Sequence, residues 1–212
     1  PFLYQQAMEA AHNSFVITLS SKLSASYSNA VIGQSYAEES GEHSAYVFDS
    51  KSASAGETLV ALKLNELISN NTPKETIINT INKFINNMKT YFVLENYDNL
   101  LKNGRLNKLT GKLIRILNIK LLMGSDGNGN IKLYAKPRGI KQMIENLLTL
   151  IHDSGKNISE ENMVISHCNN PELASDIKNA VKQRFNFRDI IIVPTGGLSS
   201  LYADNRGIIV AF

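Results

Sequence analysis

Short β-branched runs alternate with helical segments along residues 1–90 of the chain. Residues 14–19 and 45–48 combine Val, Ile, Phe and Tyr without any charged side chain, which is typical of buried strands. Apolar side chains recur at helical spacing around them, and helices are predicted over residues 2–12, 24–39, 54–70 and 72–89. Because strands that alternate with helices pair in parallel with helices on the sheet faces, this part is predicted to be α/β.

The strand count of this first part is low for such a fold. Two parallel strands rarely form a stable sheet by themselves, so a further strand is expected upstream of the first. The chain begins with Pro1 rather than Met. We therefore expect the true N-terminus of the protein to precede it.

Beyond residue 90 the pattern changes to strands that include a hairpin. Strands are predicted over residues 91–94, 119–123, 131–136, 163–167, 189–193 and 207–212. Helices are predicted over residues 97–102, 108–117, 139–153 and 171–185. A turn cluster at residues 125–130 joins two of the strands as a hairpin. The change predicts an N-terminal α/β domain over residues 1–90 and a C-terminal α/β domain with a β-hairpin over residues 91–212.

Composition excludes several classes of protein. The chain has 212 residues and one Cys, so it forms no intrachain disulfide and no zinc site built on several Cys. No apolar run reaches the roughly 18 residues of a membrane span, and a net charge of +3 argues only weakly for nucleic acid. The start lacks the features of a signal peptide. We expect a cytoplasmic protein without a metal, a nucleic-acid partner or a membrane span.

The first candidate site is the serine turn, residues 20–24, which joins a predicted strand to a predicted helix. Ligands of open α/β sheets lie at the carboxyl ends of the strands. The hydroxyls of Ser20 and Ser21, with the N–H groups of a helix start, can bind a carboxylate or a phosphate. The same pattern also occurs as ordinary helix capping, for which Ser24 is the predicted residue.

Three further polar turns are candidates. Gly104 is expected to end a helix in a left-handed conformation and to direct Arg105 away from it. Arg138 follows a rigid Pro and precedes a permissive Gly, and Tyr202 ends a Gly- and Ser-rich stretch at residues 195–202 that reads as a loop. Arg suits capture of a carboxylate or phosphate, and the phenol can donate a hydrogen bond. Solvated surface charges and a plain connecting loop are the alternatives.

Six segments, taken together and in order, resemble the DegV family of bacterial fatty-acid-binding proteins. They are residues 18–27 (TLSSKLSASY), 47–54 (VFDSKSAS), 100–106 (LLKNGRL), 117–120 (LNIK), 136–139 (KPRG) and 207–212 (GIIVAF). The resemblance implies two α/β domains with an apolar tunnel between them, which holds one long-chain fatty acid and needs no cofactor. It also implies a non-catalytic carrier.

The resemblance assigns roles to individual residues. It implies that Ser21 hydrogen-bonds the carboxylate of the fatty acid, with Ser20 beside it. Tyr202 stands where many members have a His, so it can keep a hydrogen bond but cannot act as an acid or base near neutral pH. Some members present the fatty acid to a separate kinase subunit that makes an acyl phosphate. On that pattern Arg105 and Arg138 line the head-group mouth or the kinase-docking face.

Two other functions compete with the fatty-acid carrier. One is an enzyme that binds a phosphorylated small molecule at the serine turn, with Arg105 as a clamp. The other is a regulatory module that recognises a protein through an exposed apolar patch. A serine hydrolase is disfavoured because Ser20 and Ser21 lack a Gly-x-Ser-x-Gly motif.

Overall fold

A computed structural model describes residues 1–39, 41–106 and 120–212 of the chain. In chain order the elements are α1 (Phe2–Glu9), β1 (Asn13–Thr18), α2 (Ser26–Glu38), β2 (Ser44–Asp49), α3 (Ala55–Ser69), α4 (Lys74–Asn87), β3 (Thr90–Val93), α5 (Asp98–Lys102), β4 (Leu122–Ser125), β5 (Ile131–Ala135), α6 (Gly139–Asp153), β6 (Asn162–His167), α7 (Pro171–Arg184), β7 (Asp189–Pro194), α8 (Gly197–Ala203) and β8 (Ile208–Ala211). The basic helix predicted over residues 108–117 lies outside the described residues.

The described residues form two compact units. The first comprises those of Pro1–Ala53, Val60–Asn87 and Gly127–Asn130, and the second comprises those of Ser54–Leu59, Met88–Asp126 and Ile131–Phe212. Both units take up segments from either side of the predicted boundary at residues 90 and 91. That boundary stays a prediction as a domain limit.

The first unit contains the parallel strand pair that the alternation predicts. β1 pairs with β2 in parallel, in a register that runs from Asn13 opposite Ser44 to Thr18 opposite Asp49. A small apolar core forms beside the pair from Met8, Ala30, Ala37, Ala45 and Val47. Small residues on α2 let α1 approach closely, since a Cβ at Gly33 would lie 2.8 Å from the carbonyl oxygen of Pro1. The serine turn leaves this pair at its carboxyl edge.

The second unit is built on a six-stranded sheet in the order β5-β4-β3-β8-β6-β7. β6 and β7 are parallel, while the other neighbours, including the predicted hairpin of β4 and β5, are antiparallel. The C-terminal strand β8 is central and buried along its whole length, which fits its uninterrupted apolar sequence. The apolar core of the second unit includes Met163, Ile165, Ile177 and Phe212.

One element differs in kind from its prediction. Residues 195–202, for which a connecting loop is the alternative to a binding turn, instead contain most of the short helix α8 (Gly197–Ala203). The hydroxyls of Thr195 and Ser200 lie 2.7 Å apart, and the N–H of Ser200 donates to the carbonyl oxygen of Gly196 at 2.8 Å. These hydrogen bonds stabilise a turn of helix that composition alone does not favour.

Within the described part of the chain, no helix has the length and apolar character needed to cross a bilayer.

Candidate functional site

The serine turn lies beside the loop that follows β2. Parallel pairing places the ends of β1 and β2 at one edge, and hydrogen bonds then join the two loops. The N–H of Ser20 donates to the carbonyl oxygen of Ser52 at 2.8 Å. The N–H of Ser50 donates to the carbonyl oxygen of Thr18 at 3.1 Å. The turn is therefore held on the side of β2 by backbone hydrogen bonds.

Ser20 is fully buried and its hydroxyl is used within the protein. Its Oγ donates to the carbonyl oxygen of Gly129 at 2.8 Å and accepts the N–H of Lys22 at 3.1 Å. A serine hydroxyl has one proton to donate. In this arrangement the Ser20 hydroxyl uses its proton in the hydrogen bond to Gly129. The hydroxyl therefore fixes the shape of the turn.

Ser21 differs from Ser20 in every one of these respects. It is exposed, and its hydroxyl makes no hydrogen bond to the described residues. Its backbone N–H donates to Oδ1 of Asp49 at 3.1 Å, and the same oxygen accepts the N–H of Lys51 at 2.9 Å. The backbone of Ser21 is thus fixed while its hydroxyl faces outward as a ready donor.

The N-cap of α2 lies one residue later than predicted. The N-cap position falls on Ala25, and Ser24 precedes it. Ser24 still serves the helix, because its Oγ accepts the N–H of Ser26 at 3.1 Å. The backbone N–H groups of Leu23 and Ser24 both donate to the carbonyl oxygen of Ser20. The N–H groups of residues 21–24 are therefore all hydrogen-bonded inside the protein.

Gly104 has the left-handed conformation expected of it, with φ of +69°. The N–H of Arg105 donates to the carbonyl oxygen of Leu100 at 2.8 Å, and that of Gly104 donates to Leu101 at 3.0 Å. This pair of bonds is the Schellman ending of a helix. The exposed guanidinium of Arg105 donates to the carbonyl oxygen of Asn103.

Arg138 occupies the N-cap position of α6 and is exposed. Its backbone N–H donates to Oε1 of Gln142 at 2.6 Å, so a side chain of the helix satisfies the group at its start. Gly139 follows with a φ of +80°. The backbone N–H at the start of the helix is therefore hydrogen-bonded, and the Arg138 side chain is exposed.

Tyr202 lies on α8 and is half-buried. In the second unit, α8 is tied to α5 because Nδ2 of Asn99 donates to the carbonyl oxygen of Leu201 at 2.7 Å. In the second unit, Tyr202 on α8 and Arg105 after α5 therefore belong to two neighbouring helices, and Arg138 lies at the start of α6. Ser20 and Ser21 lie together in the first unit. The ligand-binding roles of these five residues stay predictions.

A second hydroxyl pair lies in the second unit. The Oγ atoms of Ser54 and Ser166 are 2.8 Å apart, and the N–H of Ser54 donates to Oε2 of Glu57 at 2.9 Å. Burial raises the pKa of Glu57, while the hydrogen bond from Ser54 partly offsets that effect. These groups hydrogen-bond to one another at the start of α3.

Among the described residues, no cluster of three or more His, Cys, Asp or Glu side chains is arranged to hold a metal ion.

Two residues of the serine turn's surroundings were not among the sequence candidates. Asp49 could have been found, because it ends the strand that neighbours β1 and parallel strands end at one edge. Gly129 is 109 positions away from Ser20 in the chain, and only its place in a Gly-rich turn marked it as a residue of special backbone conformation.

Comparison with known proteins gives a consistent family. Residues 2–211 match the model of the family described as an uncharacterised protein, DegV family. A DegV domain-containing protein of Streptococcus gordonii is 35% identical over 210 residues, which are 99% of this chain and 74% of that protein.

Solved structures extend the comparison. A DegV family protein of Ruminococcus gnavus, refined with vaccenic acid, superposes with a TM-score of 0.92 at 37% identity, covering 100% of this chain and 76% of that one. The Fatty Acid Kinase (Fak) B3 protein of Streptococcus pneumoniae, loaded with linoleic acid, gives 0.91 at 31% identity, covering 99% and 74%. With its six matching segments and its α/β fold, this chain belongs to the DegV family.

Proposed function

We propose that this protein binds a long-chain fatty acid and holds its carboxylate at the serine turn through the hydroxyl of Ser21. The observation that carries the proposal is the Ser21 side chain, which is exposed and without a hydrogen bond to the described residues on an otherwise fixed turn. The similar proteins of Ruminococcus gnavus and Streptococcus pneumoniae hold vaccenic and linoleic acid, and they match nearly all of this chain.

The chemistry of the turn fits a single carboxylate. An ionised carboxylate accepts hydrogen bonds and donates none, so it needs a donor such as the Ser21 hydroxyl. Lys22 is exposed next to it, and its ammonium has no partner among the described residues. Burial of the acyl chain would supply most of the driving force, at about 0.8 kcal/mol per methylene, and ordering the chain would take part of it back.

We further propose that the protein presents the bound carboxylate to a separate kinase subunit and does no chemistry itself. The likeness to the Fak B3 protein supports this step. The kinase would transfer the terminal phosphoryl group of a nucleoside triphosphate to a carboxylate oxygen, which gives an acyl phosphate and the diphosphate. Arg105 and Arg138 are exposed in the second unit and would supply fixed positive charge for the head group or for kinase docking. We also propose a cytoplasmic location, because the kinase would draw on a nucleoside triphosphate as phosphoryl donor.

An enzyme for a phosphorylated small molecule is the second candidate, and the geometry of the serine turn argues against it. A phosphate cradle uses backbone N–H groups that have no other acceptor. Here the N–H groups of residues 21–24 are all hydrogen-bonded within the protein. The carboxylate of Asp49 beside Ser21 would also repel a dianion more than a carboxylate.

Fatty-acid titration of delipidated protein tests the proposal, with Ser21→Ala as the variant and Ser28→Ala as the matched control. Ser28 is an exposed serine of α2 whose hydroxyl donates to the carbonyl oxygen of Ala25, so its removal leaves the turn intact. Loss of a hydrogen bond to a charged group costs about 1.5–3 kcal/mol, or roughly 10- to 150-fold in Kd.

Three results bear on different parts of the proposal. Wild-type protein that takes up no long-chain fatty acid would overturn it. Equal affinities of the Ser21→Ala and Ser28→Ala variants would overturn the role of Ser21 alone. Fatty acid phosphorylated only when a kinase subunit is added supports presentation, and phosphorylation that is unaffected by this protein contradicts it.

A further inference from the structure

We propose that Gly129 is a positioning residue of the carboxylate-binding turn: its carbonyl oxygen fixes Ser20, and Ser20 in turn fixes the backbone on both sides of Ser21. The inference rests on the proposed function, since it names a residue that shapes the same site. Gly129 belongs to the turn between β4 and β5, in the segment Gly127–Asn130 that forms part of the first unit.

The Ser20 hydroxyl connects these parts by two hydrogen bonds. It donates to the carbonyl oxygen of Gly129 at 2.8 Å and accepts the N–H of Lys22 at 3.1 Å. Ser20 is fully buried, so water cannot replace either partner without rearrangement. The residues before and after Ser21 are thereby tied to one buried oxygen, and Asp49 holds the N–H of Ser21 itself.

The backbone of Gly129 makes this contact feasible. Its φ is +91°, in the region that side chains disfavour. A Cβ there would lie 2.3 Å from Oγ of Ser20 and 3.3 Å from Cα of Lys51. No side chain fits between the two loops, and the carbonyl oxygen of Gly129 can approach Ser20 only because none is present.

Gly127 provides a matched control in the same turn. Its φ is also +91°, and a Cβ there would meet nothing within 4 Å. Gly127→Ala therefore adds the same unfavourable backbone conformation as Gly129→Ala without the collision with Ser20. A difference between the two variants reports the contact with Ser20 and not the strain of the turn.

The experiment measures the Kd of a long-chain fatty acid and of its methyl ester for the wild type, G127A, G129A and S20A. The ester has the same tail without the charge, so the ratio of the two Kd values reports the head-group contact. We expect G129A and S20A to lose about tenfold or more of the preference for the free acid, with the ester little changed. G127A is expected to keep the wild-type preference. S20A needs no additional space, so it tests the contact even where G129A fails to fold.

Amide hydrogen exchange of Lys22, measured without ligand, separates this inference from the proposed function. We expect faster exchange in G129A and S20A than in G127A, because the acceptor of the Lys22 N–H is displaced or removed. Unchanged Lys22 exchange in S20A, or the same acid preference in G129A as in G127A, would overturn the inference. A wild type that binds neither acid nor ester would instead overturn the proposed function, while the exchange result would still decide how the turn is held.

Discussion

Asp49→Asn is expected to tighten the binding of a fatty acid at the serine turn. Oδ1 of Asp49 accepts the N–H groups of Ser21 at 3.1 Å and Lys51 at 2.9 Å. The amide oxygen of an asparagine can accept the same two hydrogen bonds. The substitution therefore removes a negative charge next to the proposed carboxylate position and leaves the shape of the turn in place.

The size of the effect follows from the distance. Hydrogen-bond and covalent lengths place a carboxylate bound to Oγ of Ser21 about 7 Å from Oδ1 of Asp49. Two negative charges at about 7 Å repel by about 0.6 kcal/mol in water and about 2.4 kcal/mol at an effective dielectric constant of about 20. Because Ser21 is exposed and Asp49 only half-buried, the lower part of this range applies. The Kd of the acid should fall about three- to tenfold.

Isothermal titration of delipidated protein with a fatty acid and with the matching fatty alcohol checks this result. D49N should tighten the acid but not the alcohol, and the gain should shrink in high salt. Glu75→Gln is the charge-matched control, since Glu75 is exposed on α4 in the same unit. An acid affinity that is unchanged at low salt, or raised equally by the control, would refute the placement of the carboxylate beside Ser21.

Two further predictions concern the second unit. Tyr97→Phe should lower the free energy of unfolding by about 1–3 kcal/mol in a denaturant titration, because the buried phenol donates to the carbonyl oxygen of Leu121 at 2.7 Å and accepts the N–H of Leu94 at 3.2 Å. Burial raises the pKa of Tyr97 to about 12, so the loss should be equal at about pH 7 and about pH 9. Burial raises the pKa of Glu57, so the folded state binds its proton more tightly than the unfolded state, and Glu57 stabilises the fold less as pH rises through that pKa. Glu57→Gln should therefore gain stability relative to wild type between about pH 4 and about pH 7, and a constant difference across that range would contradict it.

Much of the architecture could be predicted from local sequence. Apolar periodicity gave the parallel pairing of β1 with β2 and the hairpin of β4 with β5, because burial on one or both faces determines these patterns. Helix α8 could not be predicted in the same way. Its two Gly favour a loop, and the hydroxyl contact of Thr195 with Ser200 that holds it is visible only in three dimensions.

The site was partly predictable for a related reason. A Ser-rich turn after a strand points to the right edge of the sheet, yet Ser20 and Ser21 look alike in the sequence. They differ because the Ser20 hydroxyl donates a hydrogen bond to the carbonyl oxygen of Gly129, a residue distant in the chain, whereas the Ser21 side chain is exposed. Local patterns locate such a turn, but long-range packing decides which of its side chains meets a ligand.

Native mass spectrometry of the protein as purified from cells shows whether it carries a fatty acid. We expect a folded species that carries one additional mass matching a long-chain fatty acid, and a smaller amount of that species in the Ser21→Ala variant. A folded protein that carries no such mass, and acquires none when a long-chain fatty acid is added, would contradict the assignment of the serine turn as a carboxylate site.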